Sequence, residues 1–228
     1  MSVVFRRIKS RIKRVFRPPL HGPDVARPFH FLGTEYGGWP LLESTPRGAV
    51  VYSFGIGEDI SFDLGAIARF GCVVHGFDPT PKSVAWVRAQ PLPEHFAFHP
   101  FGIAAEDGEA EFFAPAVDGY VSFSASPAKY GAGGSVKAPV LRLETILFRF
   151  NHSPPDVLKM DIEGFEYSVI EDILASPIRP SQLLVEFHHG MYDGIGEDKT
   201  IRAVEALRAA GYRIFYVSEA GREYGFTL

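Results

Sequence analysis

Residues 50–59 read VVYSFGIGED and contain an apolar run followed by a glycine-rich turn. The apolar run is too short for a helix and leads into Gly55 and Gly57. Beyond the glycines, apolar residues recur at the spacing of a helix, at Ile60, Leu64 and Ile67. The stretch therefore predicts a strand, a tight turn and a helix, in that order.

A second apolar run, residues 72–77, follows Gly71 and leads into Asp78. Gly71 is expected to end the helix in a left-handed conformation, and the run is typical of a buried strand. In a parallel sheet the first turn brings backbone N–H groups close to a ligand, and a carboxylate at the end of the second strand can bind the vicinal diol of a ribose. We predict that Gly55 and Gly57 approach a cofactor and that Asp78 binds its ribose; the alternative for Asp78 is an ordinary turn residue.

The composition is that of one large globular domain. The chain has 228 residues, 46% of them hydrophobic, and a mean hydropathy of +0.03. A single cysteine, Cys72, excludes an internal disulfide and indicates a reducing compartment. No apolar run approaches the roughly 20 residues of a membrane-spanning helix. We therefore expect a cytoplasmic protein.

Basic residues are concentrated at the N-terminus. Residues 1–17 hold seven Lys and Arg and no acid, which leaves 16 of the 23 basic residues against all 27 acidic ones in the remainder. This tail predicts either a frayed basic segment or an amphipathic helix that lies on an anionic membrane or a partner. The acidic remainder would repel phosphates, so we expect no nucleic-acid partner. Four prolines predict a linker over residues 18–28, which divides the chain into a tail and linker, 1–28, and one domain, 29–228.

Two loop regions are candidates for contact with a ligand. Residues 29–40 read FHFLGTEYGGWP and concentrate aromatic side chains around glycines. Tyr36 and Trp39 are predicted to cover a bound ligand; the alternative is an edge element packed on the core. Residues 115–139 are mostly small and turn-forming, and they predict either a substrate-gating loop or a plain surface insertion.

The rest of the chain alternates strands with helices. Further strands are predicted at residues 96–104, 156–161 and 182–187, and a small hairpin at 106–113. The last two strands, 213–218 and 223–228, are joined by a junction short enough only for a hairpin, so they must be antiparallel. The fold class expected from this pattern is α/β, with a doubly wound, mostly parallel sheet that ends in an antiparallel hairpin. A dinucleotide fingerprint fails, because its third glycine would stand at Ile60.

Four segments together resemble a known family. They are residues 51–63, 77–81, 158–166 and 184–188, and the most specific is LKMDIEGFE at 158–166. The chain resembles the FkbM-type methyltransferases over residues 30–226. The resemblance implies a class I, Rossmann-like methyltransferase that uses S-adenosyl-L-methionine (AdoMet), usually to methylate an oxygen of a small molecule or sugar.

The glycine turn departs from the usual AdoMet turn at two positions. Ser53 stands where an acid is usual, and Asp59 stands where a third glycine is usual. Glu58 or Asp59 is expected to compensate, unless both are ordinary acids of a first helical turn. The predicted cofactor-binding residues are Ser53, Gly55, Gly57, Asp59, Asp78 and Ile103. The predicted substrate or lid residues are Tyr36, Trp39 and Glu163.

Methyl transfer requires the donor and the nucleophile to be held in line, and a hydroxyl acceptor benefits from a base that takes its proton. His188, just beyond the fifth strand, is the first choice of base because imidazole titrates near neutrality. Asp161, which ends the fourth strand, is the second choice, and Glu186 completes the predicted catalytic residues. The alternative for His188 is a loop histidine that binds backbone. Glu166 is expected to be an ordinary acid of a first helical turn.

The sequence predicts the metal, the acceptor and the partners of the site less firmly than its catalytic residues. Asp161, Glu186 and His188 could together hold a divalent cation, as in some Mg²⁺-dependent O-methyltransferases, but the chain has no close-spaced ligand motif and we expect no metal. A small-molecule or glycan acceptor is expected. A second hypothesis, which the altered glycine turn favours, is a non-catalytic AdoMet-fold module that binds a partner or a membrane through its basic tail.

Overall fold

The computed structural model describes residues 19–115, 132–192 and 194–228. The basic tail at 1–17 and most of the predicted loop at 115–139 lie outside these residues. The elements are β1 (Phe29–Leu32), β2 (Trp39–Leu42), β3 (Val50–Phe54), α1 (Ser61–Phe70), β4 (Val73–Phe77), α2 (Pro81–Arg88), β5 (Phe96–His99), β6 (Gly102–Ile103), β7 (Gly108–Pro115), β8 (Ala132–Leu141), α3 (Leu143–Phe150), β9 (Val157–Met160), α4 (Glu166–Ala175), β10 (Gln182–Glu186), α5 (Glu197–Ala209), β11 (Arg213–Val217) and β12 (Glu223–Thr227).

A seven-stranded sheet of order β11-β12-β10-β9-β3-β4-β5 forms the centre of the fold. Strands β3, β4, β5, β9 and β10 are parallel, whereas β12 is antiparallel to both β10 and β11. The order reverses at β3, which lies between β4 and β9, and ligands of open α/β sheets bind at such a reversal. The predicted fold class is confirmed, including the C-terminal antiparallel hairpin.

Both faces of the central sheet are buried, which explains why its strands read as continuous apolar runs. Along β3, Val51 packs in one apolar cluster and Tyr52 in the other, and along β9 the same alternation separates Val157 from Leu158. All four side chains are fully buried. Each such side chain contributes about 1.5–3 kcal/mol through removal of its surface from water.

The predicted third strand, residues 96–104, is wrong as a single element. Only β5 joins the central sheet, whereas β6 belongs to a separate sheet of order β6-β8-β7. Pro100 interrupts the run, since proline has no N–H to donate to a ladder, and Phe101 N–H donates to the His99 carbonyl in a turn. The predicted hairpin at 106–113 is also different, because β7 pairs antiparallel with β8.

Helix α1 ends at the predicted position, and Gly71 caps it in the left-handed conformation. Its buried face differs from the apolar series read in the sequence: Leu64 is exposed, while Phe62, Ala66 and Phe70 are buried. Ile60 is nevertheless buried and Ile67 packs against the same cluster, so Leu64 is the one member of the expected series that faces solvent.

Residues 19–28 lack regular structure but are attached to the domain. The Asp24 carboxylate accepts hydrogen bonds from Arg208 at 2.6 and 3.0 Å and from the Ile214 N–H at 2.9 Å. Across the described ranges, none of the helices combines the length and the apolar character that crossing a bilayer would require.

Candidate active site

The turn after β3 is fixed by glycine at one position and open at another. Gly55 has φ +81°, and a Cβ built there would lie 1.8 Å from the carbonyl oxygen of Asp161, so no other residue fits. Gly57 also has a positive φ, +58°, but a Cβ built there meets no described atom within 4 Å. The space above Gly57 is therefore free, as the approach of a ligand to the turn requires.

A buried lysine holds this turn in place. Lys159 Nζ donates hydrogen bonds to the carbonyl oxygens of Gly55, at 2.7 Å, and Phe54, at 3.3 Å. It also lies 5.6 Å from the ring centroid of Trp39, within cation–π range. Sequence reasoning missed this residue, although a lysine inside the apolar strand β9 was a visible signal.

Asp78, the predicted ribose ligand, lies against the glycine turn. Its Oδ2 accepts a hydrogen bond from the Gly57 N–H at 2.9 Å, and its Oδ1 accepts from the Thr80 N–H and hydroxyl at 2.9 and 2.6 Å. The side chain is buried. The fold thus brings together Asp78 and the turn, which are separated by β4 and α1 along the chain.

The acid that interacts with Ser53 is Asp63, which sequence reasoning did not select. Both side chains are buried, and Ser53 Oγ and Asp63 Oδ1 lack hydrogen-bond geometry to any described partner. Burial raises the pKa of Asp63 to about 6, against the opposing charge of Lys159 and the contact with Ser53. A polar pair with incomplete hydrogen bonding therefore lies beneath the glycine turn.

The two acids expected to compensate for Ser53 have other partners. Glu58 forms an ion pair with Lys82 at 3.3 Å. Asp59 accepts hydrogen bonds from the Thr34 hydroxyl, at 2.6 Å, and from the Ser61 N–H, at 2.7 Å. Asp59 therefore attaches the loop between β1 and β2 to the start of α1.

The two aromatic residues predicted to cover a ligand lie in different environments. Tyr36 is 66% exposed in the loop between β1 and β2. Trp39 is 4% exposed, belongs to β2 and packs in the core cluster that contains Val51. Its position matches the alternative of an edge element packed on the core. Ile103, in β6, is likewise buried in a core cluster with Phe77.

His188 lies in a buried group of carboxylates at the ends of β9 and β10. It is 2% exposed, and its Nδ1 lies 2.5 Å from Oε1 of Glu166, which is fully buried. Its Nε2 lies 3.2 Å from Glu163 Oε2, 3.7 Å from Asp161 Oδ1 and 3.9 Å from Glu186 Oε1. The neighbouring His189 is directed elsewhere and contacts the Thr200 hydroxyl at 3.1 Å.

These carboxylates control the protonation of the site. Burial by itself lowers the pKa of His188, but the charges of Glu166 and Glu163 and the hydrogen bond with Glu166 outweigh it and hold the pKa well above 6.5. Burial and neighbouring negative charge raise the pKa of Asp161, and they raise that of Glu186 to about 8. At neutral pH the imidazole therefore carries a proton on both nitrogens.

Glu163, predicted to be a substrate or lid residue, precedes α4, which begins only at Glu166. It adopts a left-handed backbone with φ +54°, which costs about 1–2 kcal/mol in a residue with a side chain. Its Oε2 accepts a hydrogen bond from the Tyr192 hydroxyl. Glu166, expected to interact only with the helix dipole, instead orients His188 and accepts hydrogen bonds from the Gly164 N–H at 3.0 and 3.2 Å.

The family model described as "Methyltransferase FkbM domain" matches residues 51–214, which include the glycine turn, Asp78 and the carboxylates around His188. The chain belongs to the FkbM methyltransferase family. The chain is similar to two curated proteins that are both called "Probable methyltransferase-like protein 24". It is 30% identical to the protein from Homo sapiens and 29% identical to that from Rattus norvegicus. Each match extends over 140 residues, 60% of this chain and 32% of the relative, so the matched region spans about a third of these curated relatives.

Two solved structures show a weaker likeness. A methyltransferase from Pyrococcus furiosus has a TM-score of 0.38 and 12% identity, with 80% of this chain and 75% of that chain covered. A Burkholderia thailandensis 1,6-didemethyltoxoflavin-N1-methyltransferase, solved with bound 1,6-didemethyltoxoflavin and S-adenosylhomocysteine, has a TM-score of 0.36 and 16% identity, with 79% of this chain and 70% of that chain covered. Likeness at this level supports no inference about the chemistry of an FkbM site.

Proposed function

We propose that this FkbM-family chain is an AdoMet-dependent methyltransferase whose cofactor binds over the turn at Gly55–Gly57. The observation that carries the proposal is the contact of Asp78 with the Gly57 N–H, 2.9 Å long, beside the open space above Gly57. In this arrangement the ribose hydroxyls bind the Asp78 carboxylate while the methionine end follows the turn towards β9. Ligands of parallel α/β sheets bind at this edge.

The acceptor in this proposal is a hydroxyl of a small molecule or sugar, bound beside Asp161. Asp161 follows β9 and lies directly next to the turn, since its N–H donates to the Phe54 carbonyl at 3.1 Å. Its side chain is 31% exposed, whereas that of His188 is 2% exposed and already protonated at neutral pH. Of the two bases that the sequence suggests, we therefore favour Asp161 for taking the hydroxyl proton.

Each group supplies a different part of the rate. Fixing the acceptor oxygen in line with the methyl–sulfur bond contributes roughly 7–11 kcal/mol, and this requires the rigid turn that Lys159 secures. A carboxylate base adds about 10²–10⁴-fold. Burial raises the pKa of Asp161 towards neutral pH, and a general base is most effective when its pKa lies near the working pH.

The test is calorimetric titration of the full chain with S-adenosylhomocysteine, and in parallel with NAD. Binding of S-adenosylhomocysteine alone is expected. Asp78→Asn keeps the size of the side chain but removes its charge, and it should weaken binding by at least about tenfold, since a hydrogen bond to a charged group is worth about 1.5–3 kcal/mol. Glu58→Gln, with the same change of charge at the edge of the turn, is the matched control and should bind normally.

The possible results separate the two functions considered for the chain. If the wild-type chain binds neither compound, the proposal fails and the chain is better regarded as a non-catalytic module that binds a partner or membrane. If Asp78→Asn and Glu58→Gln bind equally well, the ribose assignment fails while the cofactor assignment stands.

A further inference from the structure

We propose that Asp161, Glu186 and Nε2 of His188 form a binding site for one divalent cation of the Mg²⁺ or Mn²⁺ class. The three residues each offer one donor atom, and these atoms all lie within 4.8 Å of one another. Among the described residues, this is the only group of His, Cys, Asp or Glu side chains that converges in this way. The role of the ion depends on the proposed methyl transfer, but its binding does not.

The two carboxylates of this donor set differ from the other acids of the cluster in their hydrogen bonding. Glu163 accepts from the Tyr192 hydroxyl, Glu166 accepts from Gly164, and the nearby Glu223 accepts from the Ser218 hydroxyl. Neither side-chain carboxylate of Asp161 or Glu186 accepts a hydrogen bond from a described residue. Two carboxyl groups with vacant lone pairs, both only partly exposed, therefore lie side by side next to the imidazole, and a divalent cation that binds them would displace the protons that the site otherwise holds.

The orientation of His188 supplies an independent argument. Its Nδ1 is bonded to Glu166, so the ring is fixed with Nε2 directed at the two free carboxylates. The side chain is 2% exposed, and Nε2 faces carboxylate oxygens, with Glu163 Oε2 at 3.2 Å and those of Asp161 and Glu186 at 3.7 and 3.9 Å. A histidine that is bound by a buried carboxylate through one nitrogen and presents the other is the usual arrangement of a metal-ligating imidazole.

The distances are compatible with an ion after small movements. Ligands on opposite sides of Mg²⁺ or Mn²⁺ are about 4.2 Å apart, twice a bond of about 2.1 Å. Nε2 lies 3.7 Å from Asp161 Oδ1 and 3.9 Å from Glu186 Oε1, and all three donors lie within 4.8 Å. Shifts of a few tenths of an ångström would complete the protein ligands, and water or the acceptor would fill the remaining positions. Oxygen donors with one imidazole suit Mn²⁺ and Mg²⁺ better than a soft, thiolate-binding metal.

A cation here would lie beside the proposed methyl donor. Asp161 belongs both to the donor set and to the backbone contact with the glycine turn. An acceptor that carries two neighbouring oxygens could bind the ion and be held in line with the methyl group, which is the orienting role of metals in catalysis. The second oxygen of Asp161 remains for the hydroxyl proton.

The test uses Mn²⁺ itself as the probe, added to chelator-treated full chain and followed by electron paramagnetic resonance. We expect one equivalent to bind, Mg²⁺ to compete, and pulsed spectra to show coupling to an imidazole nitrogen. Glu186→Gln should weaken Mn²⁺ binding by at least about tenfold. Glu171→Gln, which makes the same change on the exposed side of α4, is the control and should bind as the wild type does.

Three outcomes would overturn the proposal: no binding below millimolar Mn²⁺, binding without nitrogen coupling, or equal binding by the two variants. Titration of the same chelated protein with S-adenosylhomocysteine separates this test from that of the methyltransferase proposal. Retained binding of S-adenosylhomocysteine without Mn²⁺ binding removes only the metal site. Mn²⁺ binding without S-adenosylhomocysteine binding removes only the cofactor assignment.

Discussion

Replacement of Lys159 by methionine tests whether a buried charge holds the cofactor turn. Methionine keeps most of the volume but removes both hydrogen bonds, to Gly55 O at 2.7 Å and to Phe54 O at 3.3 Å. Hydrogen bonds from a charged donor are worth about 1.5–3 kcal/mol each, and the contact with Trp39 adds about 0.5–1 kcal/mol. Relief from burying the ammonium offsets part of this sum. The expected loss is about 2–4 kcal/mol in the free energy of unfolding, and part of it arises because Asp63 loses the positive charge that lowers its pKa.

The assay is urea unfolding followed by circular dichroism, at pH 5 and at pH 8. The loss should be larger at pH 8, because Asp63, whose pKa is about 6, is then ionised without Lys159. Lys82→Met is the matched control: its ion pair with Glu58 is at the surface, and it should cost under about 1 kcal/mol. A loss for Lys159→Met no larger than that of the control, or one that is equal at both pH values, would refute the argument.

Three further predictions concern the same region. The pKa of Asp63 is raised from 3.8 to about 6 in the folded state, so the wild type should lose about 3 kcal/mol of stability as pH rises from 3.8 to about 6. Asp63→Asn should abolish this pH dependence in urea unfolding, and an unchanged pH dependence would contradict the assignment. Gly55→Ala should prevent folding or cost more than about 4 kcal/mol of stability, because the new Cβ clashes with the Asp161 carbonyl. Gly57→Ala should cost only about 1–2 kcal/mol of stability but should weaken S-adenosylhomocysteine binding. Equal melting temperatures for the two variants would contradict this description of the turn. Tyr192→Phe should cost about 1.5–3 kcal/mol in the free energy of unfolding by leaving Glu163 without its donor, and an unchanged melting temperature would exclude that role.

The order of elements and the fold class were accessible from the sequence, because hydrophobic periodicity and glycine positions are local properties. The strand, turn and helix at 50–70, the left-handed end at Gly71 and the C-terminal hairpin all follow from neighbouring residues. The prediction at 96–104 was wrong because Pro100 divides an apolar run between two sheets, and the run alone does not show which partner each half will find. On α1 the apolar spacing likewise did not show that Leu64 would be exposed.

By itself, the sequence determined the family, the fold class and the residues with suitable chemistry: the glycine turn, Asp78, Asp161, Glu186 and His188. Only the tertiary structure decided which of those groups form hydrogen bonds with one another and which of them are charged. Lys159 binds the carbonyl of a residue 104 positions away, and His188 is charged because Glu166, 22 positions earlier, lies 2.5 Å from it. Burial and distance between remote residues set the electrostatic energy of a site. Neither the burial of a side chain nor its distance from a remote residue can be read from the neighbouring residues in the sequence.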